Sequence, residues 1–226
     1  MIEYLILLEV FLFMFLLAFM PGYFEHRKPK DPGPLHIDPE RLIDPRLDAI
    51  RLRATVERLK KEEGWVPVPS TEAPKWLEGK TVHEKALNEN KAQIKVFRVE
   101  GDAAVPAGTE IGSALIILGD LTSGEECTFS QWISVEGKCQ IGRANKLTAA
   151  SSVGDLTIGA ASHVSGFVDS KSNLQIREGC FVGGNVGSDQ KISVEGTCDI
   201  RALSSRTINV ISVSYTHLRA HETGRN

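Results

Sequence analysis

The chain has 226 residues, a net charge of −3 and 24% charged side chains. That balance excludes the strongly basic surface that phosphate-backbone binding requires, so nucleic acid is not an expected partner. No Gly-rich phosphate loop of the GxxxxGK[ST] type occurs, and neither a nucleotide nor another cofactor is expected.

Residues 2–20 are almost wholly apolar, broken only by Glu3, Tyr4 and Glu9. Nineteen helical residues span roughly 28 Å, the thickness of a bilayer core. A cleaved signal peptide would want a positive charge ahead of the run and a small-x-small site behind it. Glu3 stands in front instead, and Met20-Pro21-Gly22 follows, so residues 1–22 read as an uncleaved transmembrane anchor. His26, Arg27, Lys28 and Lys30 come just after it, which by the positive-inside rule leaves the bulk of the chain in the cytoplasm.

Residues 23–95 read as a cytoplasmic linker. Within it, 29–45 is a Pro- and Asp-rich spacer. Residues 46–63 form a helix with Leu52, Val56 and Leu59 on one face and Arg51, Arg53, Arg58, Lys60 and Lys61 around it, stopped by Gly64. The plain reading is a solvated juxtamembrane helix; the sharper one is a basic helix resting on anionic lipid or on its copy in another chain. Residues 66–74 carry three prolines, and 76–92 is a weaker helix expected to cover the end of the following domain.

From residue 97 to 200 the chain has a period of six. Inward-type residues pair at i and i+2: Phe97/Val99, Ala103/Val105, Thr109/Ile111, and so on to Asn145/Leu147 and Ser151/Val153. One residue is then dropped, and the pattern resumes with Leu156/Ile158, Ser162/Val164, Val168/Ser170, Leu174/Ile176, Cys180/Val182, Val186/Ser188, Ile192/Val194 and Cys198/Ile200. Of these 36 positions 29 are apolar, in a chain that is 42% apolar, so chance is a poor explanation. Ile133-Ser-Val-Glu-Gly-Lys-Cys-Gln-Ile141 nearly recurs as Ile192-Ser-Val-Glu-Gly-Thr-Cys-Asp-Ile200, an offset of 59 that contains the dropped residue.

Residues i and i+2 share a strand face, so each pair is a short strand and the rest of each hexad a corner. Three hexads make an 18-residue triangular coil, and about six coils stack in parallel to a rod of about 25–30 Å. The fold class is an all-β solenoid (a β-helix) over 96–203, preceded by the anchor and the partly helical linker, with 204–212 an incomplete last coil. The structural core is expected at Leu156, Ile158, Leu174, Ile176, Cys180, Val182, Ile192, Val194, Cys198 and Ile200.

Cys127, Cys139, Cys180 and Cys198 all take the first, inward position of a pair and read as structural, with no CxxC spacing for a metal. Cys180 and Cys198 stack one coil apart, where a disulfide is geometrically conceivable, although a cytoplasmic location keeps thiols reduced. Ser123, Ser151, Ser162, Ser170 and Ser188 replace inward residues and should bond to backbone near corners. No catalytic or metal site is expected. His217 and His221 have metal-ligand spacing but fall in residues 213–223, which resemble a translated reading frame of a transposase adapter used in sequencing libraries. Residues 213–226 are therefore expected to be foreign to the natural protein.

The repeats, through Val153-Gly-Asp-Leu-Thr-Ile-Gly159, Leu174-Gln-Ile-Arg-Glu-Gly-Cys-Phe-Val-Gly-Gly-Asn-Val186 and Ile192-Ser-Val-Glu-Gly196, resemble the bactofilins over residues 97–202. That resemblance implies a bacterial β-helical cytoskeletal protein that polymerises end to end without nucleotide, here single-pass in the inner membrane. Self-contacts are expected from the terminal coils, around 96–111 and 192–203. One alternative is a hexapeptide-repeat acyltransferase, for which His163 is the sole histidine in the repeats, although the [LIV]-G-x-x-x-x signature is patchy. The other is a non-polymerising scaffold that displays the rod. The expectation is that the chain is not an enzyme.

Overall fold

The computed structural model describes residues 9, 11, 13–15, 46–89, 92–211 and 219–222. The spacer at 29–45, most of the apolar run and most of the foreign-looking tail lie outside the described residues. Glu9, Phe11 and 13–15 are helical, with Phe11 and Phe15 stacked at 6.3 Å between ring centroids. Among the described residues no helix is long and apolar enough to cross a membrane. The chain divides into two units, 1–43 and 44–226.

Helix α1 spans Leu47–Lys61, ending on Glu62, whose N–H donates to the Arg58 and Leu59 carbonyls. Strand β1, Val66–Pro67, and a 3₁₀ turn, Lys75–Leu77, lead to β2, Val82–Glu89, and β3, Ala92–Val99. Residues 76–92 are thus not the helix their pattern suggested. They form the 3₁₀ turn and an antiparallel hairpin in which Val82 pairs with Val99 and Glu89 with Ala92. Local propensity gives way here because the open edge of the first coil offers a full row of backbone partners.

The solenoid then runs β4 Ala103–Val105, β5 Glu110–Ile111, β6 Ala114–Ile117, β7 Leu121–Ser123, β8 Thr128–Val135, β9 Cys139–Ile141, β10 Lys146–Ser152, β11 Leu156–Ile158, β12 His163–Val164, β13 Val168–Ser170, β14 Leu174–Ile176, β15 Phe181–Ser188, β16 Lys191–Glu195, β17 Asp199–Ser205 and β18 Thr207–Ile211. All pair in parallel as three columns. The first face stacks β3, β6, the second half of β8, the second half of β10, β13 and the second halves of β15 and β17. The second face is β4-β7-β9-β11-β14-β16-β18. The third stacks β5 with the first halves of β8 and β10, then β12 and the first halves of β15 and β17. The result is an all-β solenoid of about six coils.

Most turns take 18 residues, as in Ala103 to Leu121 to Cys139. The short turn is placed differently from expectation. Leu147 pairs with Phe129 but Ala149 with Trp132, so the missing residue is at the Thr148 corner and not after Val153. The inward pair of that coil is Ala150 and Ser152; Ser151 faces outward and Val153 is 44% exposed. A second irregularity falls between Val182 and Asn185.

One apolar core runs from Leu77 to Leu203 and contains Leu156, Ile158, Leu174, Ile176, Cys180, Val182, Ile192, Val194, Cys198 and Ile200, all buried. Polar residues facing inward are satisfied locally. Asn145, fully buried, accepts from the Cys127 N–H at 2.5 Å and donates to Ser123 Oγ at 2.8 Å. Ser170 and Ser188 donate to the Gly154 and Ser172 carbonyls. At the corner between first and second faces, Asp102 and Asp120 each accept the backbone N–H one coil on, from Asp120 at 2.8 Å and Lys138 at 2.7 Å.

Candidate assembly surfaces and the docked helix

A parallel solenoid has two ends, each a row of unpaired strand groups above an apolar cross-section. The N-terminal end is covered over its apolar cross-section and on the first face, while among the described residues no strand pairs with the outer edges of β4 and β5. Leu77 and Val82 are buried in the same core as the coils, with Val68 and Trp76 packed against them. On the first face the hairpin continues the sheet, and β1, carrying Pro67, lies antiparallel on β2. Proline donates no ladder bond, so this edge is blunted. The terminal coil around 96–111, expected to make self-contacts, therefore lies beneath a cap.

The C-terminal end differs. β18 pairs with β16 on one side, and Ile208 and Val210 pack only partly against the core. β17 takes a further parallel strand, β19 Arg219–Glu222, in the register Ala202 to Arg219 through Ser205 to Glu222. β19 falls within the foreign-looking tail and lacks the inward-pair pattern.

The flank is also occupied. On the first face, β6 is apolar on both parities: all four residues of Ala114–Ile117 are buried, which a strand with one wet face does not permit. Their outward side chains Val96, Ala114, Ile116, Trp132 and Ala149 form a second cluster with Val56 and Leu59 of α1. Helix α1 is thus docked along the solenoid and not solvated as its plain reading had it. Lys60 pairs with Glu136, and Trp65 Nε1 donates to the Leu59 carbonyl at 3.0 Å.

The dock has an ionic centre. Asp169, 1% exposed, receives Arg46 through Nε at 2.8 Å and Nη2 at 2.7 Å on one oxygen, and Arg53 on the other. Arg46 also pairs with Asp189, and Arg53 Nε approaches Ser151 Oγ at 3.4 Å. Burial pushes the Asp169 carboxyl above its usual range, and the two guanidiniums oppose that. A Cβ at Gly187 would stand 2.3 Å from Asp169 Oδ1 and 2.7 Å from Arg46 Nε, so only glycine leaves room for this contact. Arg51, Arg58 and Lys61 remain as the outward basic residues of α1.

His163 points outward on the third face, stacked on Phe181 at 4.6 Å, with no carboxylate in ion-pair reach among the described residues. Two shallow grooves, each of about 400 Å³ on the scale of small-ligand clefts, are lined by Arg143, Ala161, Glu178 and Thr197, and by Thr122, Gln140, Thr157, Gln175 and Arg177. His163 borders neither. All four cysteines are free and buried, and among the described residues no His/Cys/Asp/Glu group could hold a metal. Comparison with protein-family models, with curated proteins and with solved structures returns no match.

The inward pattern made the core residues visible in sequence. That 76–92 covers the first coil was also expected, though as a helix and not as a 3₁₀ turn and hairpin; the α1 dock and the Asp169 cluster were missed. Their one available signal was the unbroken apolar run 114–117, which asks for a cover on the outward side.

Proposed function

We propose that this chain is a self-associating β-solenoid scaffold tethered to a membrane by its N-terminal apolar segment, working without nucleotide and without catalysis. The observation that carries this reading is the C-terminal edge: β17 recruits β19 through backbone bonds although β19 has no repeat pattern. A second copy supplies the same backbone groups together with a matching apolar cross-section, so joining buries both. The resemblance of residues 97–202 to bactofilins supports the same reading. Phe11, Phe13, Met14 and Phe15, exposed at 53–69%, are the kind of surface that a lipid phase would cover.

Because the cross-section of the first coil is covered, we assign the contact to the outer strand β18 of the described coils, which gives a pair with two-fold symmetry. Longer filaments then require the cap to leave the first coil. Full-length protein in detergent micelles, sedimented over a range of concentrations without nucleotide, should convert from monomer to pairs. A strictly monomeric species at the highest concentration would remove the assembly half of the proposal. Flotation with anionic and neutral vesicles tests the membrane half.

A further inference from the structure

Cys180 and Cys198 hold the same inward position of the third face, one coil apart. β15 and β17 pair in parallel with Phe181 opposite Asp199 and Val182 opposite Ile200. The Asp199 N–H donates to the Cys180 carbonyl at 2.9 Å, which carries that register back to the cysteines. The two thiols point alike: Cys180 Sγ lies 3.1 Å from the Gly159 carbonyl and Cys198 Sγ 3.1 Å from the Arg177 carbonyl, equivalent atoms of successive coils. Neighbouring strands hold Cα atoms about 4.8 Å apart, inside the roughly 4.4–6.8 Å that a disulfide bridges. We infer that Cys180 and Cys198 are a redox site, forming a reversible disulfide that staples adjacent coils by exchange with a small disulfide of the glutathione type.

The roles of the two sulfurs follow from their surroundings. Cys198, 8% exposed, is the least buried of the four cysteines and sits nearest the open edge. Cys198 is therefore the thiol that a small disulfide reaches first, and it attacks as the thiolate once its proton has passed to solvent. Its sulfur attacks one sulfur of the small disulfide, releasing one thiolate and leaving a mixed disulfide on Cys198. Cys180 then gives up its proton to solvent, and its sulfur displaces the second small thiolate. Two protein thiols are oxidised, and one small disulfide is reduced to two thiols.

Strand spacing sets the Cβ atoms about as far apart as the Cα atoms, beyond the ~3.5–4.5 Å of a relaxed disulfide. Such a bond is strained and correspondingly easy to reduce, which suits a switch and not a permanent brace. The other two cysteines are internal controls. Cys127 stacks on Asn145, and Cys139 lies between Leu121 and Leu156, so neither has a thiol beside it.

The test equilibrates the full-length protein in glutathione buffers of rising oxidised fraction, quenches with an alkylating reagent and maps the peptides by mass spectrometry. Cys180 and Cys198 should disappear together into one cross-linked pair, lose two hydrogens, and return on reduction, while Cys127 and Cys139 stay alkylated throughout. Cys180→Ser should stop at a glutathione adduct on Cys198; serine is tolerated at this position, since Ser162 fills it one coil away. Four alkylated thiols at the most oxidising ratio, a wild-type adduct that never resolves to the cross-link, or no adduct on Cys198 in Cys180→Ser would each overturn the assignment.

Discussion

Each coil passes the corner between second and third faces through one residue in the left-handed region, and the chain does not always put glycine there. Gly108 and Gly179 serve at 70° and 74°, but Ala144 and Ala161 stand at φ of 56° and 57°. An L side chain in this region costs roughly 1–2 kcal/mol, which glycine avoids at the expense of a more flexible unfolded chain. Ala144→Gly and Ala161→Gly should each raise stability by about 0.5–1 kcal/mol, measured as a higher urea midpoint with unchanged slope. Gly142→Ala should act the other way, because its Cβ would lie 2.3 Å from the Gly124 carbonyl oxygen of the previous coil. Nothing lies within 4 Å of a Cβ at Gly112, so Gly112→Ala is the neutral comparison. The sequence alone could not separate these glycines and alanines, since which corner residue turns left-handed depends on how each coil sits on the last.

Among the elements, the corner carboxylates and α1 carry distinct, measurable contributions. Asp155 accepts from Ser172 Oγ at 2.6 Å and the Asn173 N–H at 3.1 Å, and these bonds hold its carboxyl below the usual range. A carboxylate depressed in the folded state stabilises above its unfolded value near pH 4 and loses that contribution as pH falls through the folded value. Asp155→Asn should therefore flatten the acid limb of the stability curve below about pH 4 and leave its shape at neutral pH unaltered. Helix α1 answers to Asp169. Asp169→Ala leaves Arg46 and Arg53 without their shared carboxylate, and undocking should become easier by about 2–3 kcal/mol, less than for fully buried partners because both guanidiniums touch solvent. Faster proteolysis within 46–63 and a changed Trp132 emission, with the far-ultraviolet signal of the coils retained, would register that loss. The helix and the coils were both legible in the sequence, through a 3.6-residue apolar face and a six-residue period. Their contact was not, because Asp169 and Arg46 are 123 positions apart and nothing in either local pattern names the other. The misplaced short turn has a similar origin. Ala149, Ala150, Ser151 and Ser152 are all small, so parity within that run is decided by the backbone register to β8 and not by side-chain size.

For the whole molecule, the two ends set what it can build. A rod open at both ends extends indefinitely, whereas a rod with one closed end stops at a pair. Leu77 is the residue on which closure depends: it is 1% exposed and belongs to the core of the first coils, although it enters from outside the repeat. Pro67, Pro69 and Pro74 around it donate no backbone bond; the Val68 N–H reaches the Val82 carbonyl, and Leu77, Val82, Val68 and Trp76 supply the packing on the core. Leu77→Asp places a charge in that contact and should lift the cap while leaving β4 onward intact. The exposed first coil then offers the same kind of edge and cross-section as the last. Sedimentation should shift from pairs to longer species, and electron microscopy should find rods of constant width in place of amorphous aggregate. If Leu77→Asp sedimented as pairs while its cap became sensitive to protease, the cap would be only a structural lid, and growth beyond the pair would have to use another surface.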